Sequence, residues 1–131
     1  MPVKVLICDD QEAFRTAARE VVDAAVGFEV VGQVETGEES VVAADRLHPD
    51  LVLMDVHLPG IDGLEATRRI REQSCTPPVV VLLSTWDSGE GTGATESGAA
   101  EYIPKSRFGP DRLALAWRRA TTSGEKEAAQ V

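Results

Sequence analysis

The sequence predicts an α/β fold in which a parallel sheet carries helices on both faces. Two observations lead there. Short apolar runs rich in β-branched residues alternate with longer segments whose apolar residues recur at helical spacing, as in successive βαβ units. The strand-like runs VKVLIC, LVLM and VVVLL are also nearly continuous in apolar residues, which fits strands covered on both faces. A chain of 131 residues is the size of one domain with one core.

The elements follow in order. Val3–Cys8 reads as the first strand, interrupted only by Lys4. Gln11–Ala25 reads as the first helix, with Phe14, Ala17, Ala18, Val21, Val22 and Ala25 at helical spacing and Gly27 as its stop. Phe28–Val34 is the second strand. Glu38–Leu47 is the second helix, with Val41, Val42 and Leu47 as its apolar stripe. Leu51–Val56 is the third strand, and Gly63–Gln73 the third helix, with Leu64, Thr67, Ile70 and Arg71 on one side. Pro77 and Pro78 introduce a fourth strand, Val79–Leu83. A fourth helix should fall in Ser88–Ala99, but this stretch holds several glycines and no large apolar residue. Each glycine costs about 1 kcal/mol against alanine inside a helix, so the fourth helix is expected to be short or irregular. EYIPK gives a short last strand. Pro110 opens a final helix with Leu113, Ala116, Trp117 and Ala120 on one face. The domain is expected to span residues 1–120, and the small, polar residues 121–131 to form a disordered tail.

Composition narrows the function classes. The chain is 43% hydrophobic and 27% charged, as in soluble globular proteins. It has neither an apolar run of roughly 20 residues for a membrane span nor a secretory start, so the expected compartment is the cytoplasm. Cys8 and Cys75 are expected to be reduced thiols, and no Cys/His cluster has zinc spacing. A net charge of −9 repels phosphate backbones and argues against direct nucleic-acid binding.

In doubly wound sheets, ligands bind outside the carboxyl ends of the strands. The first strand ends on Asp9 and Asp10, the third on Asp55, the fourth on Ser84 with Thr85 adjacent, and the last near Lys105. Three carboxylates brought together would raise one another's pKa values. Mg²⁺, which favours oxygen ligands and keeps several waters, would relieve that conflict. A hydroxyl and an ammonium nearby would stabilise further anionic oxygens, such as those of a phosphoryl group. One carboxylate would then be the nucleophile that forms an acyl phosphate. Asp55 is best placed, at a strand tip leading into a turn at Pro59, Gly60 and Gly63. Each residue alone has a plainer reading. Asp10 could cap the helix starting near Gln11, Asp55 could be a turn residue, Ser84 a polar strand end and Lys105 a solvated side chain. The joint placement at strand ends is what points to a site.

The segments LICDDQEAFR, PDLVLMDVHLPGIDGLEATRRIR, VVVLLSTWD and GAAEYIPKS resemble the receiver (CheY-like) domain of two-component response regulators, from about Val3 to Ala120. They are most similar to receivers joined to helix-turn-helix outputs of the NarL/LuxR type. The resemblance implies a flavodoxin-like doubly wound sheet of five parallel strands in the order 2-1-3-4-5. It implies that Asp55 accepts a phosphoryl group from a histidine kinase or phosphotransfer protein. It further implies that Asp10, Asp55 and the backbone carbonyl of His57 bind Mg²⁺ directly, with Asp9 helping through water. Ser84 and Lys105 would each hold a phosphoryl oxygen, and Ser84 and Tyr102 would be the switch residues. His57 and Trp86 would border the path of the water that hydrolyses the acyl phosphate.

The sequence also departs from that family. The glycine-rich fourth helix puts the usual dimerisation mode in doubt, so a monomer or weak homodimer is expected. Within these 131 residues no helix-turn-helix follows the final helix, so the chain is expected to be either a stand-alone receiver, the favoured reading, or a piece of a longer protein, and to signal to an unknown downstream protein by contact. It would be a phosphorylated substrate and not a turnover enzyme. One rival is an interaction module that keeps the fold without using phosphorylation. Another is a haloacid-dehalogenase-type phosphatase. That chemistry needs a second acid two residues after the nucleophile, where this chain has His57.

Overall fold

The computed structural model describes the backbone of residues 1–85 and 94–129 and the side chains of residues 1–85 and 96–122. The elements are β1 (Val3–Cys8), α1 (Glu12–Ala24), β2 (Phe28–Val34), α2 (Gly37–Leu47), β3 (Leu51–Asp55), α3 (Gly63–Glu72), β4 (Val79–Ser84), α4 (Ala94–Ser97), β5 (Glu101–Pro104) and α5 (Pro110–Ala129). The sheet order is β2-β1-β3-β4-β5, with every pair parallel. The expected flavodoxin-like architecture is therefore present.

Alternation along the strands splits the core in two. Val5, Ile7, Leu51, Leu53, Val81 and Leu83 point to one face, against Ala18 and Val22 of α1 and Leu113 and Ala116 of α5. Leu6, Cys8, Val52, Met54, Val80 and Leu82 point to the other, against Ala44 of α2 and Ala66 and Ile70 of α3. Successive side chains of a strand face opposite sides, so a strand must be apolar throughout to feed both layers. This is why the central strands read as unbroken apolar runs.

Local chemistry sets the helix starts. Thr36 accepts the Glu39 N–H at 3.0 Å and donates its hydroxyl back to Glu39 Oε1, a reciprocal cap for α2. Asp62 accepts the Glu65 N–H at 2.8 Å and caps α3. Gly63 N donates to Val56 O at 2.8 Å. A Cβ at Gly63 would lie 2.2 Å from Asp55 O, so only glycine lets α3 start this close to the end of β3.

Several expectations need correction. The inner face of α2 is Gly37, Ser40 and Ala44, whereas Val42 is 57% exposed and Leu47 borders on solvent. Small residues win there because α2 packs closely against α3, and buried Ser40 donates to Gly37 O at 2.6 Å. On α3 the buried set is Gly63, Ala66, Thr67 and Ile70. Arg71 is exposed, and its stem lies over Gly98, where the missing side chain makes room. The described part of the fourth helix is a single turn, as the glycine-rich sequence suggested, and residues 86–93, including Trp86, lie outside the described residues. The last helix continues to Ala129, beyond the boundary expected at Ala120. Glu125, Lys126, Glu127, Ala128 and Ala129 are good helix formers, and polarity alone does not stop a helix. Residues 130 and 131 lie outside the described residues. No helix among the described residues is long and apolar enough to cross a membrane.

Two outcomes test this packing. Gly63→Ala should lose about 1–3 kcal/mol in urea unfolding, the usual cost of forcing a group into a packed site. Cys8 is fully buried, and burial pushes its thiol far above the usual range, whereas Cys75 is exposed. A thiol reagent should therefore label Cys75 alone in the native protein and both cysteines after denaturation.

Candidate functional site at the carboxyl end of the sheet

Strand register assembles the site. Cys8 pairs with Met54, so Asp9 and Asp55 each stand one step beyond. Asp55 pairs with Leu83, and Ser84 pairs with Pro104, the residue before Lys105. The strand ends thus deliver Asp9, Asp55, Ser84 and Lys105 to one level of one edge.

One oxygen from each of Asp9, Asp10 and Asp55 lies within 4.8 Å of the other two. Asp9 is 2% and Asp55 4% exposed, while Asp10 is open to solvent. Asp9 is held on every side. Its N–H donates to Val34 O at 3.1 Å, Oδ1 accepts the Gln11 N–H at 2.8 Å, and Oδ2 lies 2.6 Å from Lys105 Nζ. Asp9 thus holds the N–H of Gln11, the N-cap residue of α1, and Asp10 does not take the capping role open to it, because Gln11 is the N-cap and makes no side-chain cap bond. With Asp9 occupied, Asp10 keeps a carboxylate facing the opening.

Asp55 Oδ1 accepts the His57 N–H at 3.2 Å, and Oδ2 lies 3.5 Å from Lys105 Nζ. Burial raises the Asp55 pKa above its ordinary value, and the charge of Asp9 raises it further. Lys105 and the His57 N–H oppose this without cancelling it. Lys105 is 12% exposed and sits 4.4 Å over the Phe14 ring, where the π-face favours a cation. Phe14 in turn packs on Phe108, with ring centroids 6.3 Å apart. Phe14 was expected only as part of an apolar stripe. Its contact with Lys105 spans most of the chain, so helical spacing carries no trace of it.

Ser84 is fully buried as the last residue of β4, and Thr85 is exposed. Tyr102 is half-buried, stands opposite Leu82 and packs against the α2/α3 side of the core. The His57 side chain is exposed. The donor set of the cluster is all oxygen, and its negative charge exceeds what one ammonium offsets. Both features suit Mg²⁺.

The family model of the response regulator receiver domain matches residues 5–118. The chain belongs to this family. Among curated proteins, the response regulator GacA of Pseudomonas syringae is 41% identical over 103 residues, covering 79% of this chain and 48% of that protein. A protein-glutamate methylesterase/protein-glutamine glutaminase of Alkalilimnicola ehrlichii is 35% identical over 106 residues, covering 80% of this chain and 27% of that protein. The chain thus spans half or less of the length of these relatives. Among solved structures, the response regulator domain of Thermotoga maritima CheB superposes with a TM-score of 0.82 at 25% identity, covering 92% of this chain and 98% of that one. A LuxR-family response regulator of Aurantimonas gives 0.83 at 28% identity, covering 95% and 87%. The fold and family read from the motifs are therefore correct, and similarity to LuxR-type regulators is among the matches.

The strained charge of this receiver site predicts a pH effect. A carboxylate with a raised folded pKa binds more protons folded than unfolded, so stability falls as pH rises from the unfolded to the folded value. In metal-free buffer at about pH 7, Asp55→Asn should melt a few degrees above the wild type, and the gap should close toward about pH 4. Thermal melts across that range read the difference.

Proposed function

We propose that this receiver is a phosphorylation-controlled switch whose phosphoacceptor is Asp55. The observation that carries the reading is the Asp55 carboxylate itself. It stands at a strand end, with one oxygen on a backbone N–H, the other near Lys105, and two further carboxylates beside it. A histidine kinase or phosphotransfer protein would present a phosphohistidine. An Asp55 oxygen attacks phosphorus, the P–N bond breaks, and the imidazole nitrogen leaves with the bonding electron pair and takes up a proton. Water later attacks the acyl phosphate, restoring the carboxylate and releasing inorganic phosphate.

Asp10, Asp55 and the His57 carbonyl would hold Mg²⁺ directly, with Asp9 assisting through water. The ion supplies charge neutralisation for the phosphoryl oxygens. Lys105 begins bound to Asp9 and close to Asp55, so a short movement brings its ammonium to a new phosphoryl oxygen. Ser84 donates its hydroxyl to another such oxygen. Tyr102, half-buried on the adjacent strand, reports that change toward the surface. The net charge of −9 supports signalling by these residues through protein contact and not through their own binding to DNA, and the cytoplasm is the proposed compartment.

Intact-mass spectrometry with a small phosphodonor and Mg²⁺ tests this. One phosphoryl group should add to the wild type, and none to Asp55→Asn or to the wild type in chelator. Asp10→Ala should lose measurable Mg²⁺ binding in calorimetry. A wild type that binds Mg²⁺ yet stays unmodified by phosphodonor and kinase alike would favour a phosphorylation-independent interaction module.

A further inference from the structure

Arg15 lies on α1 and has no part in the phosphoacceptor chemistry just described. Nη1 donates to the backbone carbonyl of Asp9 at 2.8 Å, and Nη2 pairs with Glu35 at 3.2 Å. The side chain is only 14% exposed, unlike its partner Glu35 at 62%. Arg15 thereby ties the end of β1 to the residue just past β2. Its planar fork suits such a double attachment, because two N–H groups are held in fixed relative directions.

The Asp9 carbonyl belongs to the peptide that joins Asp9 to Asp10. The N–H of Asp9 is already tied to Val34 O at 3.1 Å, and Arg15 ties the other side. Among the two acids, Asp9 has further anchors through Gln11 and Lys105. The orientation of Asp10 depends on this peptide, because its own side chain is exposed.

We infer that Arg15 is a positioning residue for the acidic cluster: it fixes the Asp9–Asp10 peptide so that the Asp10 carboxylate is pre-oriented toward Asp55 for a divalent cation. The inference rests on the reading that the cluster takes Mg²⁺. Positioning opposes simple electrostatics here. Removing a nearby positive charge should strengthen cation binding by Coulomb's law, whereas removing a positioning group should weaken it.

The test is Mg²⁺ titration by calorimetry on the unphosphorylated chain, with thermal melts as a folding control. Arg15→Ala should weaken Mg²⁺ binding by about tenfold, the scale on which partners behind metal ligands act. Arg15→Lys, which keeps the charge and one donor but not the fork, should fall between. Equal or tighter binding by Arg15→Ala would overturn the inference. If Arg15→Ala does not fold cooperatively, Arg15→Met keeps the aliphatic stem and is read by the same criterion. A wild type that does not bind Mg²⁺ would instead overturn the metal reading of the cluster, which separates the two failures.

Discussion

Three carboxylates share one end of a parallel sheet with a single ammonium between two of them. That imbalance is what the rest of the structure serves. Lys105 lies 2.6 Å from Asp9 and 3.5 Å from Asp55, in a nearly buried position over Phe14. The Lys105 ammonium alone cannot neutralise three carboxylates, and burial makes the residual repulsion costly. The fold thus keeps Asp55 at a pKa above its ordinary value. A site of this kind favours whatever brings positive charge or removes negative charge. That bias gives a physical reason why the oxygen-rich opening beside Asp10 suits a cation.

Holding like charges together requires rigid support, and here it comes from the backbone. Asp9 is bound through its amide, its carbonyl and both carboxylate oxygens. The chain after Asp55 is held on two sides. His57 N–H returns to the Asp55 carboxylate, and Gly63 brings α3 against the Asp55 carbonyl. The N-terminus of α2 secures the same loop. Glu38 accepts the Ile61 N–H at 3.2 Å, and a Cβ at Gly37 would lie 2.3 Å from Ile61 O. Four glycine- or carboxylate-mediated contacts thus brace a turn that would otherwise be free to move.

The curated relatives differ in name and in length. A regulator named GacA and a protein-glutamate methylesterase both align with this chain over about 80% of its length, while the chain covers 48% and 27% of theirs. What they share with it is the receiver portion. A fold can serve many outputs because function resides in the site and in what is attached to it. The shared portion is therefore evidence about the receiver and not about what is attached to it.

Much of this was readable in the chain. Strand order aside, the elements follow from unbroken apolar runs and helical spacing, since a strand feeding two layers has no other way to look. Asp9, Asp10, Asp55, Ser84 and Lys105 were identifiable because parallel strands all present their carboxyl ends to one edge, so sequence position alone predicts convergence. What the sequence left open depended on contacts between distant segments. That Asp9 is the anchored acid and Asp10 the exposed one turned on Lys105 and Val34, which lie far along the chain. The true inner face of α2 turned on its close approach to α3, which admits Ser40 and Ala44 and turns Val42 outward. Arg15 and Phe14 look like ordinary helix residues until β2 and β5 arrive beside them. Periodicity reports which side of an element is buried, but only tertiary packing decides which partner waits there, and a polar contact depends on the partner.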